Sequence, residues 1–265
     1  MPTFKTNDIR IHFTHEGQGE PVMLIHGFPL SVDMWRPQRA ALSQRYNVYS
    51  IDLRGFGRSD PPTGAMSIDT YADDVVALLN ALGIGQAVVG GLSMGGYITM
   101  ALLRRHPERV KAVMLLDTKM TPDTALGRQG RNEMIVQART EGPASIAAAM
   151  LPKMLTPATV QANPALTEHV RTLMATASVP GLICALEALR ERPDSTMTLK
   201  NARVPALIVV GSADTLTPAA ESGAMQEVMH NAFVIEIPGA AHLSTLEQPS
   251  LVDAALLAFL DQHGC

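Results

Sequence analysis

Ser93 lies between two nearby glycines, after a short apolar run and before a segment whose apolar residues predict a buried helix. Residues 91–95 read Gly-Leu-Ser-Met-Gly, and the strand-like run 86–90 precedes them. Glycine on both sides of Ser93 permits a turn tight enough to raise the serine hydroxyl above the strand and the helix. The N-terminus of the following helix also favours negative charge beside that hydroxyl. The pattern therefore predicts a nucleophilic serine on a strand–helix turn.

A nucleophilic serine needs a base that accepts its proton and an acid that orients the base. Where a serine stands on such a strand–helix turn, we expect these groups at the ends of later strands, in the chain order serine, acid, histidine. Of the eight histidines, only His242 sits in a loop directly after a late strand-like run, residues 233–237, so it is the predicted base. His26 precedes Ser93 and is expected to hold its own loop by hydrogen bonds. Five histidines without such a context are expected at the surface: His12, His15, His169, His230 and His263.

Three aspartates follow strand-like runs and are candidates for the acid. Asp214 comes directly after the run 205–210 and one strand–helix unit before the predicted base. Asp117 follows the preceding strand and remains the alternative, because geometry decides between the two. Asp52 comes before the serine and is expected to fix the turn at residues 54–59.

Acyl transfer to a serine also needs N–H groups that bind the developing oxyanion. The residue after the nucleophile, Met94, supplies one backbone N–H. The second is expected from the loop His26-Gly27-Phe28-Pro29, which follows an early strand. Because Pro29 has no N–H, the predicted second donor is Phe28.

These groups can meet only if a sheet brings the strand ends together. Helical patterns alternate with short apolar runs at residues 21–26, 47–53, 86–90, 110–116, 205–210 and 233–237. Such alternation indicates parallel strands with helices on both faces. The predicted fold class is therefore α/β, with a mostly parallel twisted sheet.

Residues 119–203 interrupt the alternation. They contain no strand-like run and consist of Ala-, Met- and Leu-rich helical pieces separated by prolines. We therefore expect a core domain of residues 1–118 and 204–265 and a helical cap of residues 119–203. No aromatic residue occurs between Tyr97 and Phe233, whereas the cap carries Met120, Met134, Met150, Met154, Met174 and Met197. Because Met is unbranched and adaptable, we expect cap Met and Leu side chains to form an aliphatic acyl pocket.

Composition narrows the classes of function. The 265 residues are 46% hydrophobic and 17% charged, as in a soluble globular protein, and the net charge of −4 argues against nucleic-acid binding. Cys184 and Cys265 have no metal-ligand spacing and are compatible with a reducing, cytoplasmic compartment. The charge-free stretch 84–103 contains five glycines and fits a strand, turn and helix better than a membrane span. We expect no signal peptide and no membrane or nucleic-acid partner; the sequence does not indicate an oligomeric state.

Taken together, these landmarks resemble the α/β-hydrolase superfamily along nearly the whole chain. The matching segments are residues 26–29, 52–60, 91–96, 211–214 and 239–242. The finer resemblance is to bacterial carboxylesterases and 3-oxoadipate enol-lactonase-like hydrolases, with acyl-homoserine lactonases also similar. Its signals are residues 185–194 and His-Leu-Ser-Thr-Leu-Glu-Gln-Pro at 242–249. The cap departs from the enol-lactonase-like pattern because it lacks aromatic residues.

The resemblance implies a serine hydrolase that cleaves small-molecule carboxylic esters or lactones through an acyl-enzyme, without a metal or organic cofactor. Its catalytic residues would be Ser93, Asp214 and His242. A dedicated acyl-homoserine lactonase or enol-lactonase is the alternative. Cofactor-free perhydrolases resemble this chain at the turn around the serine, which implies peracid formation as a side reaction; a perhydrolase is the less favoured interpretation. A non-catalytic binding module of the same fold is disfavoured because all three triad residues are present.

Overall fold

One eight-stranded sheet organises the protein, for which a computed structural model describes residues 2–6 and 9–263. The strands lie in the order β1-β2-β4-β3-β5-β6-β7-β8. Strands β3 to β8 pair in parallel, while β1 and β2 form an antiparallel edge. The strands are β1 (Thr3–Thr6), β2 (Ile9–Glu16), β3 (Pro21–Ile25), β4 (Asn47–Ile51), β5 (Ala87–Leu92), β6 (Val110–Leu116), β7 (Ala206–Gly211) and β8 (Ala232–Ile237).

Helices cover both faces of this sheet. Outside the segment between β6 and β7 they are α1 (Arg36–Leu42), α2 (Ile68–Ala81), α3 (Met94–Arg105), α10 (Ala219–Val228), α11 (Ser244–Glu247) and α12 (Pro249–His263). Alternate residues of β3 show the two layers. Met23 and Ile25 pack with α2 and α3 in one hydrophobic cluster, whereas Val22 and Leu24 pack with α1 and α12 in the other. The α/β fold class predicted from the alternating runs is confirmed.

Between β6 and β7 the described chain contains six helices and no strand. They are α4 (Ala125–Glu141), α5 (Pro143–Met154), α6 (Pro157–Ala162), α7 (Pro164–Ala175), α8 (Val179–Arg190) and α9 (Thr196–Asn201). Prolines occupy the first position of α5, α6 and α7, where a missing N–H costs no hydrogen bond. We call residues 119–203 the cap segment; its status as a separate domain stays a prediction.

The two N-terminal strands, β1 and β2, were not predicted from the sequence. The environment of one histidine on them was therefore predicted incorrectly. His12 lies on β2 and is only 1% exposed, so the prediction that it is a surface residue is wrong. The loop after β4 covers it, because Ser59 accepts a hydrogen bond from the His12 N–H and Asp52 Oδ2 lies 2.7 Å from His12 Nδ1. Asp52 also accepts the Arg58 N–H, which confirms its predicted role in the turn at residues 54–59.

No single helix within residues 2–6 and 9–263 is long and apolar enough to cross a membrane. Helices α7 and α8 reach the length and apolar composition of a membrane span only when taken together, and the chain bends by 90° between them. Residues 84–103 form β5 and most of α3, as the glycines in that stretch predicted. Cys184 is a half-buried free thiol on α8, and Cys265 lies outside the described residues.

Candidate active site

Ser93 stands on the turn between β5 and α3 with a left-handed backbone conformation, φ 54°. Such a conformation is costly for a residue with a Cβ and is concentrated at functional sites. The backbone around this turn lies too close to positions 91 and 95 for any residue larger than glycine. A Cβ on Gly91 would overlap the carbonyl of Gly95, and a Cβ on Gly95 would overlap the carbonyl of Ile25. The two flanking glycines are therefore required by backbone packing, and the turn holds the serine at the strand end.

A continuous chain of hydrogen bonds joins the three predicted triad residues. His242 Nε2 lies 2.8 Å from Ser93 Oγ, and His242 Nδ1 lies 2.8 Å from Asp214 Oδ2. His242 is 2% exposed and Asp214 5% exposed, so water hardly competes for these bonds. Because a carboxylate can only accept, the Nδ1 atom carries the proton and Nε2 faces the serine as an acceptor.

Asp214 is held ionised beside this histidine. Burial opposes its charge, but the hydrogen bond and charge of His242 and the hydrogen bonds from Thr217 outweigh burial and lower the pKa of Asp214. The backbone N–H groups of Leu216 and Thr217 bind Oδ1, and the Thr217 hydroxyl binds Oδ2 at 2.7 Å. Of the two aspartates left open by the sequence, Asp214 contacts the histidine. Asp117 instead accepts hydrogen bonds from Gly211 and Ser244.

Phe28 and Met94, the residues predicted to supply the oxyanion N–H groups, both line the cavity that contains Ser93 and His242. The loop that carries Phe28 approaches the serine closely, because a Cβ on Gly27 would lie 3.4 Å from Ser93 Cβ. His26 holds this loop as expected, since its Nδ1 lies 2.9 Å from the Gly27 carbonyl and its Nε2 accepts the Leu53 N–H. The assignment of the two backbone N–H groups to an oxyanion stays a prediction.

A cavity of about 430 Å³ opens above Ser93 between the sheet and the cap segment. Its apolar lining includes Met134, Met150 and Leu189 from the cap segment and Tyr97 from α3. The other cap methionines lie elsewhere: Met120, Met154 and Met174 are buried, and Met197 is exposed. The predicted aliphatic pocket is therefore only partly right. Aromatic rings from the core and charged side chains share the lining.

Some of the charged side chains around the cavity form ion pairs among the described residues, and others do not. Asp123 forms ion pairs with Arg131 at 3.0 Å and with Arg192 at 2.7 Å. Lys119 and Lys153 also line the cavity, and neither has a hydrogen-bond or ion-pair partner within the described part of the chain. Neither lysine was predicted from the sequence. The sequence position of Lys119 indicated a site residue, since it follows the end of β6 at the sheet edge where the other site residues lie. The sequence position of Lys153 gave no such indication, because only the packing of α5 brings it to the cavity.

This arrangement supports acyl chemistry at the serine. His242 Nε2 lies within hydrogen-bond distance of the hydroxyl whose proton a base would take, and the Asp214 carboxylate lies where it would stabilise the resulting imidazolium. Within residues 2–6 and 9–263, no group of three or more His, Cys, Asp or Glu side chains is arranged to hold a metal ion.

A mostly parallel eight-stranded sheet with helices on both faces, and a serine on the turn after its central strand, define the α/β-hydrolase class of proteins. The chain belongs to the alpha/beta hydrolase fold family, whose pattern matches residues 20–249. The resemblance drawn from the sequence landmarks is thereby confirmed.

Relatives match nearly the whole length of the chain. The 3-oxoadipate enol-lactonase 2 of Acinetobacter baylyi is 30% identical over 99% of this chain and 97% of its own. A thermophilic esterase from Thermogutta terrifontis, solved with malate bound, superimposes with a TM-score of 0.94 at 36% identity over 97% of this chain and 95% of its own. The enol-lactonase of Burkholderia xenovorans gives a TM-score of 0.92 at 28% identity over 98% and 100%.

Proposed function

We propose that this protein hydrolyses carboxylic esters, and that Ser93 forms the acyl-enzyme. The observation that carries the proposal is the hydrogen-bonded chain from Ser93 Oγ through His242 to Asp214, set at the wall of a cavity. The similarity to an esterase over 97% of the chain supports the same substrate class. In this proposal the cap segment acts as a lid domain that walls the cavity opposite the serine.

The proposed reaction has two halves. His242 Nε2 takes the proton of Ser93 as Oγ bonds to the carbonyl carbon, and the backbone N–H groups of Met94 and Phe28 bind the oxyanion. The C–O bond then breaks, and the leaving alcohol receives its proton from His242. A water molecule deprotonated by His242 next attacks the acyl carbon, which releases the acid and restores the serine hydroxyl.

Lactone hydrolysis is the second candidate, and it uses the same steps. The leaving alcohol of a lactone stays attached to the acyl group, so the product is a hydroxy acid. The observation that favours it is the similarity to two enol-lactonases over at least 97% of each of those chains.

Substrate profiling tests the two candidates against each other. Rates on p-nitrophenyl esters from acetate to octanoate would be compared with rates on simple lactones and acyl-homoserine lactones. We expect ester turnover, with a serine-reactive phosphonate attached to Ser93 in a peptide map. A lactone preference of several orders of magnitude would replace the esterase proposal by the lactonase, and labelling at another residue would refute both.

Lys119 and Lys153, which have no partner among the described residues, predict a preference for substrates that carry a carboxylate away from the scissile bond. Lys119→Met should lower kcat/KM for the monoethyl ester of adipic acid by about tenfold, because one charge-assisted hydrogen bond is lost. Lys153→Met should have a smaller effect, since the exposed Lys153 is more strongly screened by water. Diethyl adipate, which is neutral, should be hydrolysed at an unchanged rate by both variants in a pH-stat assay.

The matched control for these variants is Lys200→Met, which removes an exposed lysine of α9 that does not line the cavity. It should leave both substrates unaffected. Equal losses on the charged and the neutral ester in Lys119→Met would show that this lysine does not bind a substrate carboxylate.

A further inference from the structure

The segment at the end of β6, residues 116–118, contacts the loops of all three predicted triad residues. Its outer members hold the nucleophile. The Leu116 carbonyl accepts the Ser93 N–H at 2.9 Å, and the Thr118 hydroxyl donates to the Ser93 carbonyl at 2.8 Å. Thr118 also fills the space beside α3, because a Cβ on Gly96 would lie 2.5 Å from its Oγ1. The backbone of Ser93 is therefore fixed on both sides by this segment.

The central member, Asp117, reaches the other two loops. Its Oδ1 accepts the Gly211 N–H at 2.8 Å, three residues before Asp214. Its Oδ2 accepts the Ser244 hydroxyl at 2.6 Å, two residues after His242. One carboxyl group thus ties the loop of the proposed acid to the loop of the proposed base. Both of its oxygens are used as acceptors.

The backbone of Asp117 shows that this placement is maintained at a cost. Its φ of 44° is left-handed, and within the described residues Ser93 is the one other non-glycine residue with a positive φ. The Asp117 N–H donates to the Val209 carbonyl at 2.8 Å, which anchors the turn to β7. Two neighbouring strand ends therefore carry strained residues that face one site, and strain of this kind is typical of functional positions.

The charge around Asp117 couples it to the same site. The side chain is 0% exposed, and the titratable groups that act on it are His242 and Asp214. Burial raises the pKa of Asp117 to about 7, although the charge of His242 and the hydrogen bonds from Ser244 and Gly211 oppose the rise. Its ionisation is thus balanced near neutral pH, and the positive charge that favours its ionised form is the imidazolium of His242.

We propose that Asp117 is a positioning residue that joins the Asp214 and His242 loops and, when ionised, stabilises the protonated imidazole of His242. The inference rests on the proposed function only for its effect on turnover. Its electrostatic part concerns His242 alone and holds whether or not an ester is the substrate. A buried carboxyl that merely filled space would leave the titration of His242 unchanged, so that titration is the distinguishing measurement.

Asp117→Asn is the variant that tests this role. Asparagine keeps the shape and tolerates a left-handed φ, so the fold should persist. Loss of the negative charge destabilises the imidazolium and lowers the pKa of His242. The acidic limb of kcat/KM against pH should therefore move to lower pH by about half a unit. At pH 8, kcat/KM should fall about tenfold, because the charge-assisted hydrogen bonds that join the two loops are replaced by weaker neutral ones.

The second variant, Ser244→Ala, should move the limb in the same direction by a smaller amount. Without the Ser244 hydroxyl, Asp117 stays neutral to higher pH and stabilises the imidazolium less. The matched control is Asp253→Asn, because Asp253 is a partly buried aspartate that Gln38 binds at 2.9 Å and that does not contact the triad. That control should leave the limb in place.

NMR titration of the His242 ring in the substrate-free protein separates the inference from the proposed function. A lowered pKa of His242 in both Asp117→Asn and Ser244→Ala supports the inference even if ester turnover is absent. An unchanged pKa of His242 in a folded Asp117→Asn protein overturns it, whatever the rate does. If Asp117→Asn does not fold, an unchanged titration in Ser244→Ala overturns it equally.

Discussion

Ser93→Ala should lower kcat for ester hydrolysis by about 10⁴- to 10⁶-fold while leaving KM within a few-fold of its original value. The substitution removes the one oxygen that His242 Nε2 contacts at 2.8 Å and leaves the cavity walls in place. Substrate should therefore still bind, but no acyl-enzyme can form. Steady-state kinetics on p-nitrophenyl butyrate, normalised to folded protein by circular dichroism, provides the measurement.

Ser222→Ala is the control for this substitution. Ser222 is fully buried on α10, its hydroxyl has no hydrogen-bond partner within the described residues, and it does not line the cavity. Its replacement should leave kcat unchanged. Retention of more than about 1% of kcat by Ser93→Ala, against the residual activity expected without a nucleophile, would assign the covalent step to another residue.

The sheet was predictable because its central strands are buried on both faces. Continuous apolar runs such as Ala206–Gly211 in β7 and residues 112–116 in β6 identify such strands directly. Strand β2 gives a weaker signal, since Arg10 and His12 interrupt its apolar residues Ile9, Ile11 and Phe13. Its Ile9, Ile11 and Phe13 are buried in the hydrophobic cluster with α2 and α3, whereas His12 is covered by the loop after β4, and no local pattern reports that contact.

The strand-end positions of the three proposed triad residues were predictable, but their contacts were not. Parallel strands place their carboxyl ends at one edge, so Ser93, Asp214 and His242 could be selected as residues that follow strands. Both Asp117 and Asp214 meet that criterion. The distinction depends on side-chain direction: Asp214 Oδ2 lies 2.8 Å from His242 Nδ1, whereas Asp117 points to Gly211 and Ser244.

The cavity was the least predictable part of the site. The abundance of methionine in the cap segment gave the correct expectation for Met134 and Met150, which line the cavity. It gave no information on Lys119, which lies in the loop after β6, or on Lys153, whose orientation depends on how α5 packs across the sheet. Substrate preference is therefore a tertiary property here, and it has to be tested by variants of the lining.

Asp214→Asn should lower kcat by about 10³- to 10⁴-fold, the second largest effect expected for a single substitution. An amide at this position no longer fixes the Nδ1–H tautomer of His242 and cannot stabilise the imidazolium by charge. Thr217 Oγ1, which lies 3.4 Å from His242 Nδ1, remains as a weak acceptor and accounts for part of the residual rate. The measurement is kcat at saturating ester, with thermal unfolding as the test of the fold.

Two further variants show whether a loss of kcat in Asp214→Asn is specific to the triad. Asp261→Asn alters an aspartate of α12 that pairs with Arg45 and Tyr46 outside the cavity, and it should leave kcat unchanged. Asp117→Asn should reduce the rate far less than Asp214→Asn, because Asp117 donates to or accepts from no atom of the histidine and acts on it by charge and through Ser244. If the order were reversed, with Asp117→Asn the more damaging variant, the acid of the triad would be Asp117, and the contact between Asp214 and His242 would have only a supporting role.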